Sequence, residues 1–418
     1  MSYRSLLTRP VLAWCAVSAA ARVPVAMAPL ALVFLVRERP GGYSLGAVLA
    51  ACYVVGEIAG APLLGARLRP ERARRQLAGG LAGGAAAFTG LGLPHGAHPV
   101  LLGALACVAG AAPAAAGGGM RALLTALVPP GAVTRAMSLE SMLGSGVWAA
   151  APAATTGLAL GAAPYAPMLL AGGLMAASVA GLWLLPGGWA ADDTDRGGAS
   201  VTRLLARAWP VYLLGAASMT LLALAELVLP ALLEQRGVAV GWAGPLLVGY
   251  ALGMGVGAFL YGLRPWPGRL PVQGLVLLAG VTGCVLVLAL APSPAAVAAG
   301  LLVGGVLQAG VSLSRNLTLR QVLPPSVLAA GFSVMYASVG AGYAVTGALA
   351  GGLLRVAAPS TAILAGVGLT VLVAGVAAVA EHRTYRAAAS SGPVQEPVSE
   401  AGPADSADPG AVARKVRR

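Results

Sequence analysis

Apolar residues in this chain come in twelve long stretches, at approximately 11–36, 45–66, 76–94, 99–128, 136–160, 164–185, 210–233, 242–262, 270–291, 295–323, 328–354 and 358–381. Each reaches the roughly 17 to 25 residues that a helix needs to cross a bilayer, and the longer ones must tilt or overhang. The pattern predicts an all-α integral membrane protein with twelve transmembrane helices. The longest polar interruption before the C-terminal tail falls between Pro186 and Pro210, where Asp192, Asp193, Asp195 and Arg196 sit among glycines. It predicts a six-helix unit over 1–186, a cytoplasmic linker over 187–209 and a second six-helix unit over 210–386. The tail, 387–418, is rich in Pro, Ser, Gly and acidic residues and is predicted to be disordered. The first stretch is too long for the core of a signal peptide and is expected to remain as the first helix.

Composition removes the soluble alternatives. Hydrophobic residues make up 58% of the 418 and charged residues 10%, with a mean hydropathy of +0.82; soluble domains carry roughly a quarter charged residues. The 59 glycines and the low aromatic content of 5% fit helices that associate through close backbone approach. The net charge of +13 reads as topology. With the N-terminus inside, sixteen arginines lie near helix ends on the cytoplasmic side, from Arg4 and Arg9 through the cluster at 67–75 to Arg383 and Arg386. Only Arg37, Arg39, Arg236 and Arg355 face the other side. The asymmetry predicts a multi-pass cell-membrane protein with both termini cytoplasmic and no nucleic-acid partner. Cys15, Cys52, Cys107 and Cys284 lack the spacing of a disulfide framework, and His95, His98 and His382 lack metal-ligand spacing, so no metal site is expected. Without a phosphate-binding loop and its lysine, the expected driving force is a proton gradient, with no cofactor.

The two units repeat each other. Tyr53, Gly56, Gly60, Ala61 and Gly65 recur as Tyr250, Gly253, Gly257, Ala258 and Gly262, displaced by 250 − 53 = 197 residues. Leu127-Val128-Pro129-Pro130 is matched by Val322-Leu323-Pro324-Pro325, displaced by 324 − 129 = 195. Two matches in one order at nearly one offset point to duplicated, pseudo-symmetric six-helix bundles (6+6), the plan of alternating-access carriers.

These features resemble the major facilitator superfamily over residues 1–386, most nearly its actinobacterial multidrug and metabolite carriers whose first helix reads Arg-x-Pro-x-x-Met, here Arg22-Val-Pro24-Val-Ala-Met27. The family's loop after the second helix, Gly-x-x-x-Asp-Arg-x-Gly-Arg-Arg, is matched by Gly65 and the basic residues Arg72, Arg74 and Arg75. Arg69 stands where the Asp belongs, leaving Glu71 or Glu140 as a substitute. The antiporter signature of the fifth helix is half present, as Gly144, Gly146, Ala151-Pro152 and Gly157. The resemblance implies gating roles for Gly65, Arg74, Arg75, Glu140 and Pro152. It also implies a cavity lined by the first, fourth, seventh and tenth helices, which carry Arg22, Arg121, Glu226 and Arg315.

A charge at bilayer depth costs at least about 2.5 kcal/mol on insertion scales and persists where it faces protein or water. Arg22 is placed to bind an anionic group or pair with a carboxylate, and Glu226 is the first candidate for the proton site. Arg121 and Arg315 either face the cavity or reach back to the cytoplasmic interface. Glu57, mid-helix, is a candidate gate partner of a cavity arginine, and Glu140 is expected at the cytoplasmic surface near Arg74 or Arg75. The sequence therefore reads as a non-enzymatic, monomeric secondary transporter in the lipid bilayer, exporting a small amphiphilic or drug-like compound against protons. Its alternatives are an importer of a small organic anion and a non-transporting membrane sensor.

Overall fold

The computed structural model describes residues 6, 8–39, 42–68, 70–93, 98–186, 200–291 and 293–390. Among these the chain is helical between short turns. We number the long helices α1 (Arg9–Val36), α2 (Gly42–Gly65), α3 (Ala73–Gly92), α4 (Pro99–Leu127), α5 (Val133–Gly161) and α6 (Ala166–Gly181). They continue as α7 (Trp209–Gln235), α8 (Ala243–Leu263), α9 (Leu270–Leu290), α10 (Pro294–Val322), α11 (Pro325–Leu353) and α12 (Pro359–Ser390). Ten are long and apolar enough to cross a membrane, and the protein is a multi-pass membrane protein. The other two are α3 and α5. The first opens on Arg74, Arg75 and Gln76, and the second carries Arg135 and Glu140, both buried against protein.

Many of these helices open on a proline whose missing N–H would have had no partner in the first turn. Inside α4, Pro113 interrupts the hydrogen-bond ladder between Ala111 and Ala114 and breaks the helix into two segments. Two boundaries differ from those expected. The segment 187–209 holds a short helix, Val201–Arg207, capped by the Ser200 side chain, and α7 begins at Trp209. Residues 187–199, and the tail from 391 onward, lie outside the described residues. Helix α12 runs to Ser390, so the expected start of the tail at 387 is four residues early; the Ala387–Ala389 stretch has high helix propensity and continues the helix. The four cysteines are free.

The repeat seen in the sequence is a repeat of contacts. Helix α1 packs on α5 and α6 as α7 packs on α11 and α12, and α2 packs on α4 as α8 packs on α10. Each α2–α4 type contact is an approach of backbone to backbone. A Cβ on Gly56 would overlap the Cys107 carbonyl and one on Gly110 the Tyr53 carbonyl; one on Gly253 would overlap the Leu302 carbonyl and one on Gly305 the Tyr250 carbonyl. Small residues thus do the packing that water expulsion does in soluble proteins.

The first six helices meet the last six through α2 and α4 on α11, and α5 on α8. The contacts of α2 and α4 with α11 gather toward the arginine-rich ends. Gly65 and Gly118 both lie against Ser333, and Ala61, Ala114 and Ala337 form a small cluster. Ile58 lies against Gly340.

We expect Gly110→Ala and Gly257→Ala each to lower the thermal unfolding midpoint of the purified protein, since overpacking at rigid backbone costs about 1–3 kcal/mol. Gly173→Ala, on α6 with nothing within 4 Å of the added methyl, should leave the midpoint unchanged or raise it.

Candidate functional site

The polar centre of the molecule is assembled from four helices of the first half and two of the second. Arg22 of α1 and Arg121 of α4 both donate to the same oxygen, Oε1 of Glu140 on α5. The Arg121–Glu140 bond is 2.8 Å. Local sequence makes this possible. Trp14, two turns before Arg22, donates its indole N–H to the Met120 carbonyl at 2.7 Å, tying α1 to α4 at the residue before Arg121. On α5, Gly144 lies one turn beyond Glu140, and a Cβ there would sit 3.5 Å from Nη1 of Arg22, so the arginine lies across α5 with little in its way.

Exposure separates the partners. The Glu140 side chain is 3% exposed, whereas those of Arg22 and Arg121 are 21% and 17% exposed. The carboxylate therefore lies behind, holding two guanidiniums whose outer faces reach solvent. One negative charge against two positive leaves an excess positive charge, and Nε of Arg121 has no hydrogen-bond partner. Guanidinium groups with spare donors at a partly dry site are suited to a carboxylate or phosphate-like ligand.

The second half closes over this cluster. Arg121 points Nη1 at Oδ1 of Asn316 on α10, 3.5 Å away, and its guanidinium lies 5.4 Å from the centre of the Phe332 ring on α11, a cation–π distance. On α2, Glu57 accepts a hydrogen bond of 3.0 Å from the hydroxyl of Tyr336 on α11. Among the described residues Glu57 forms no ion pair. Tyr53, one turn before it, has a buried hydroxyl without a partner. Tyr336 lies one turn beyond Phe332 on α11, so the same helix meets Arg121 and Glu57 and links the two parts of the site.

Several expected positions change. Glu140 is not at the cytoplasmic surface near Arg74 and Arg75; it is buried between Arg22 and Arg121, because two cations at bilayer depth need a counter-charge and α5 supplies it. Arg121 points inward and does not reach back to the interface. Arg315 does not join the centre. It is buried at the back of α10, 3.4 Å from Glu381 of α12, with Gly274 of α9 against its guanidinium. Arg74 donates to the Leu185 carbonyl at the end of the sixth helix, a contact within the first half, and Arg75 is exposed. Pro152 is exposed on α5, away from the charged cluster. Of the positions given a gating role, Gly65 is the one at the contact with α11. The side chain of Glu226 on α7, and Arg69 in the loop after α2, lie outside the described residues. Phe332 was not singled out from sequence: an aromatic on an apolar helix carries no signal until its neighbour is known.

No protein-family model and no curated protein matches the sequence. Solved structures match over nearly their whole length. The human organic anion transporter MFSD10 (TETRAN) superposes with a TM-score of 0.70 at 17% identity, covering 88% of this chain and 99% of its own. FucP, a Major Facilitator Superfamily (MFS) transporter in the outward conformation, gives 0.65 at 16%, covering 88% and 98%. A bacterial homologue of the iron transporter ferroportin, in an outward-facing state with soaked iron, gives 0.67 at 15%, covering 89% and 98%.

Removing the shared carboxylate should be the most damaging single change in the cluster. Glu140→Gln leaves two half-buried arginines without their shared counter-charge, while Arg22→Gln leaves the Arg121–Glu140 pair intact. Thermal unfolding in detergent should rank wild type above Arg22→Gln, and Arg22→Gln well above Glu140→Gln.

Proposed function

We propose that this chain, whose fold is that of major facilitator superfamily transporters, is a secondary transporter that takes up a small organic anion together with protons. Its helices form two six-helix bundles, each spanning the cell membrane six times with both termini cytoplasmic, and a monomer suffices. No cofactor and no enzymatic chemistry are assigned to it. The observation that carries the reading is the cluster of Arg22 and Arg121 on one buried carboxylate, Glu140: the excess positive charge and the spare guanidinium donors favour an anionic group on the substrate.

The coupling group in this reading is Glu57. It is a carboxylate at bilayer depth with a neutral partner, Tyr336, and no cation paired with it among the described residues. An anion bound at Arg22 and Arg121 repels the charged form of Glu57 and favours its uptake of a proton, and by linkage the proton favours the anion. Substrate and proton then travel in the same direction, inward along the usual gradient. Export against protons, the first reading of the sequence, rested on Glu226, whose side chain lies outside the described residues, on the half-signature at Pro152 and on a small, apolar lining. One structural neighbour, human MFSD10, is an organic anion transporter and agrees with this reading in substrate class.

The gathering of the α2–α11 and α4–α11 contacts at the arginine-rich ends supports an outward-facing state. In alternating access those contacts must part. Glu57–Tyr336, Arg121–Asn316 and Arg121–Phe332 all cross between the halves and all break in that step.

Small aliphatic and aromatic carboxylates added to purified protein in weakly buffered detergent should produce proton uptake with a recognised compound. Glu57→Gln should abolish the proton signal while binding persists, and Arg22→Gln or Arg121→Gln should abolish binding. Proton release in place of uptake would support export and overturn the symport reading.

A further inference from the structure

A groove of about 530 Å³ lies on the side of the second half, between α11 and α12, with α7 as its floor. Both walls pack on α7 and touch each other little. Trp209, Tyr212 and Thr220 line it from α7, Ala341 and Val345 from α11, and Thr370 from α12. Its volume is that of a small-ligand pocket. Trp209 and Val345 are 47% and 56% exposed, so the groove opens sideways toward the hydrocarbon, and whatever fills it enters from the bilayer.

Two further features narrow the occupant. The hydroxyls of Thr220, Ser338 and Thr370 are spent on carbonyls within their own helices. The hydroxyl of Tyr212 is not: the residue is 7% exposed, lines the groove, and its oxygen has no partner. At the arginine-rich mouth, the short helix Val201–Arg207 leads directly into α7 and touches α11. It exposes Arg203 and Arg207, and no acidic residue occurs between 200 and 225. Trp209, at the first turn of α7, stands where indoles settle at a membrane interface.

We propose that this groove binds one anionic phospholipid from the leaflet on the arginine-rich side. The phosphate sits at Arg203 and Arg207, and one acyl chain runs along α7 past Tyr212 and Thr220 between α11 and α12. The two features follow in the order in which a lipid presents them, from charged head to hydrocarbon. The site is separate from the Arg22–Glu140–Arg121 cluster and does not rest on its assignment.

Native mass spectrometry of the detergent-purified full chain, given equimolar phosphatidylglycerol and phosphatidylcholine with identical acyl chains, tests the proposal. The wild type should retain a single phosphatidylglycerol in preference. Arg203→Gln with Arg207→Gln should reduce that preference about fivefold per arginine, from roughly 1 kcal/mol for each basic residue near an anionic surface. Ala341→Phe, which fills the groove and leaves the arginines in place, should abolish retention of that first lipid. Val345→Trp, at an exposed position, fills the same space should Ala341→Phe fail to fold. Equal retention of the two lipids by the wild type would overturn the proposal. So would undiminished retention of phosphatidylglycerol in a folded groove-filling variant, or a ladder of weakly held lipids with no first site.

Discussion

One carboxylate, Glu140, holds two arginines at the depth of the membrane, and the centre of the molecule is organised by that arrangement. Without it two guanidiniums would lie unpaired among apolar helices, and desolvating an unpaired guanidinium costs several kcal/mol. The helices that supply the three groups are fixed to each other accordingly. Trp14 ties α1 to α4, and Arg22 crosses α5 beside Gly144. One carboxylate against two cations is an incomplete neutralisation, and the incompleteness is what equips the site to hold something negative.

The two classes of helix contact in this fold differ in kind. Within each half, α2–α4 and α8–α10 are locked by glycines whose neighbours are backbone carbonyls, so the helices cannot separate without losing a continuous face. Between the halves, Gly118 of α4 also lies against the α11 backbone at Ala329 and Ser333, and the contacts add small side chains, one ring under a guanidinium, a 3.5 Å approach to Asn316 and the Glu57–Tyr336 hydrogen bond. Each of these polar contacts is worth about 1 kcal/mol or little more. A joint between halves that includes separable polar contacts suits a rocking movement. Placing Glu57 in that joint makes it sensitive to a proton.

Much of the fold was legible in the sequence because bilayer physics leaves few options: long apolar runs become helices, and the glycine repeat at an offset of 197 becomes two equivalent helix contacts. Arg22, Arg121 and Glu57 stood out as charges at bilayer depth. The role of Glu140 was hidden by its place near the start of α5, close to a basic loop that offered an equally good partner on the surface. Only the packing of α5 against α1 turns it inward. Arg315 misled for the complementary reason. Helix α10 faces the centre on one side and α9 and α12 on the other, and a sequence does not say which face of a helix without amphipathic bias is which. The Tyr336 hydroxyl and the Phe332 ring acquire meaning from α2 and α4, far earlier in the chain, a relation that no local pattern encodes.

In the proposed transport reading, protonation of Glu57 releases the joint at the arginine-rich ends. Pulsed electron–electron distance measurements test it most directly, in a background lacking the four native cysteines. One pair of spin labels would sit at Ala66 and Val322, at the arginine-rich ends, and another at Ala162 and Leu290 on the opposite side. On acidification, or on Glu57→Gln at neutral pH, the first pair should move apart while the second pair approaches. Distances in both pairs that stay the same under acid and in the variant would contradict the account.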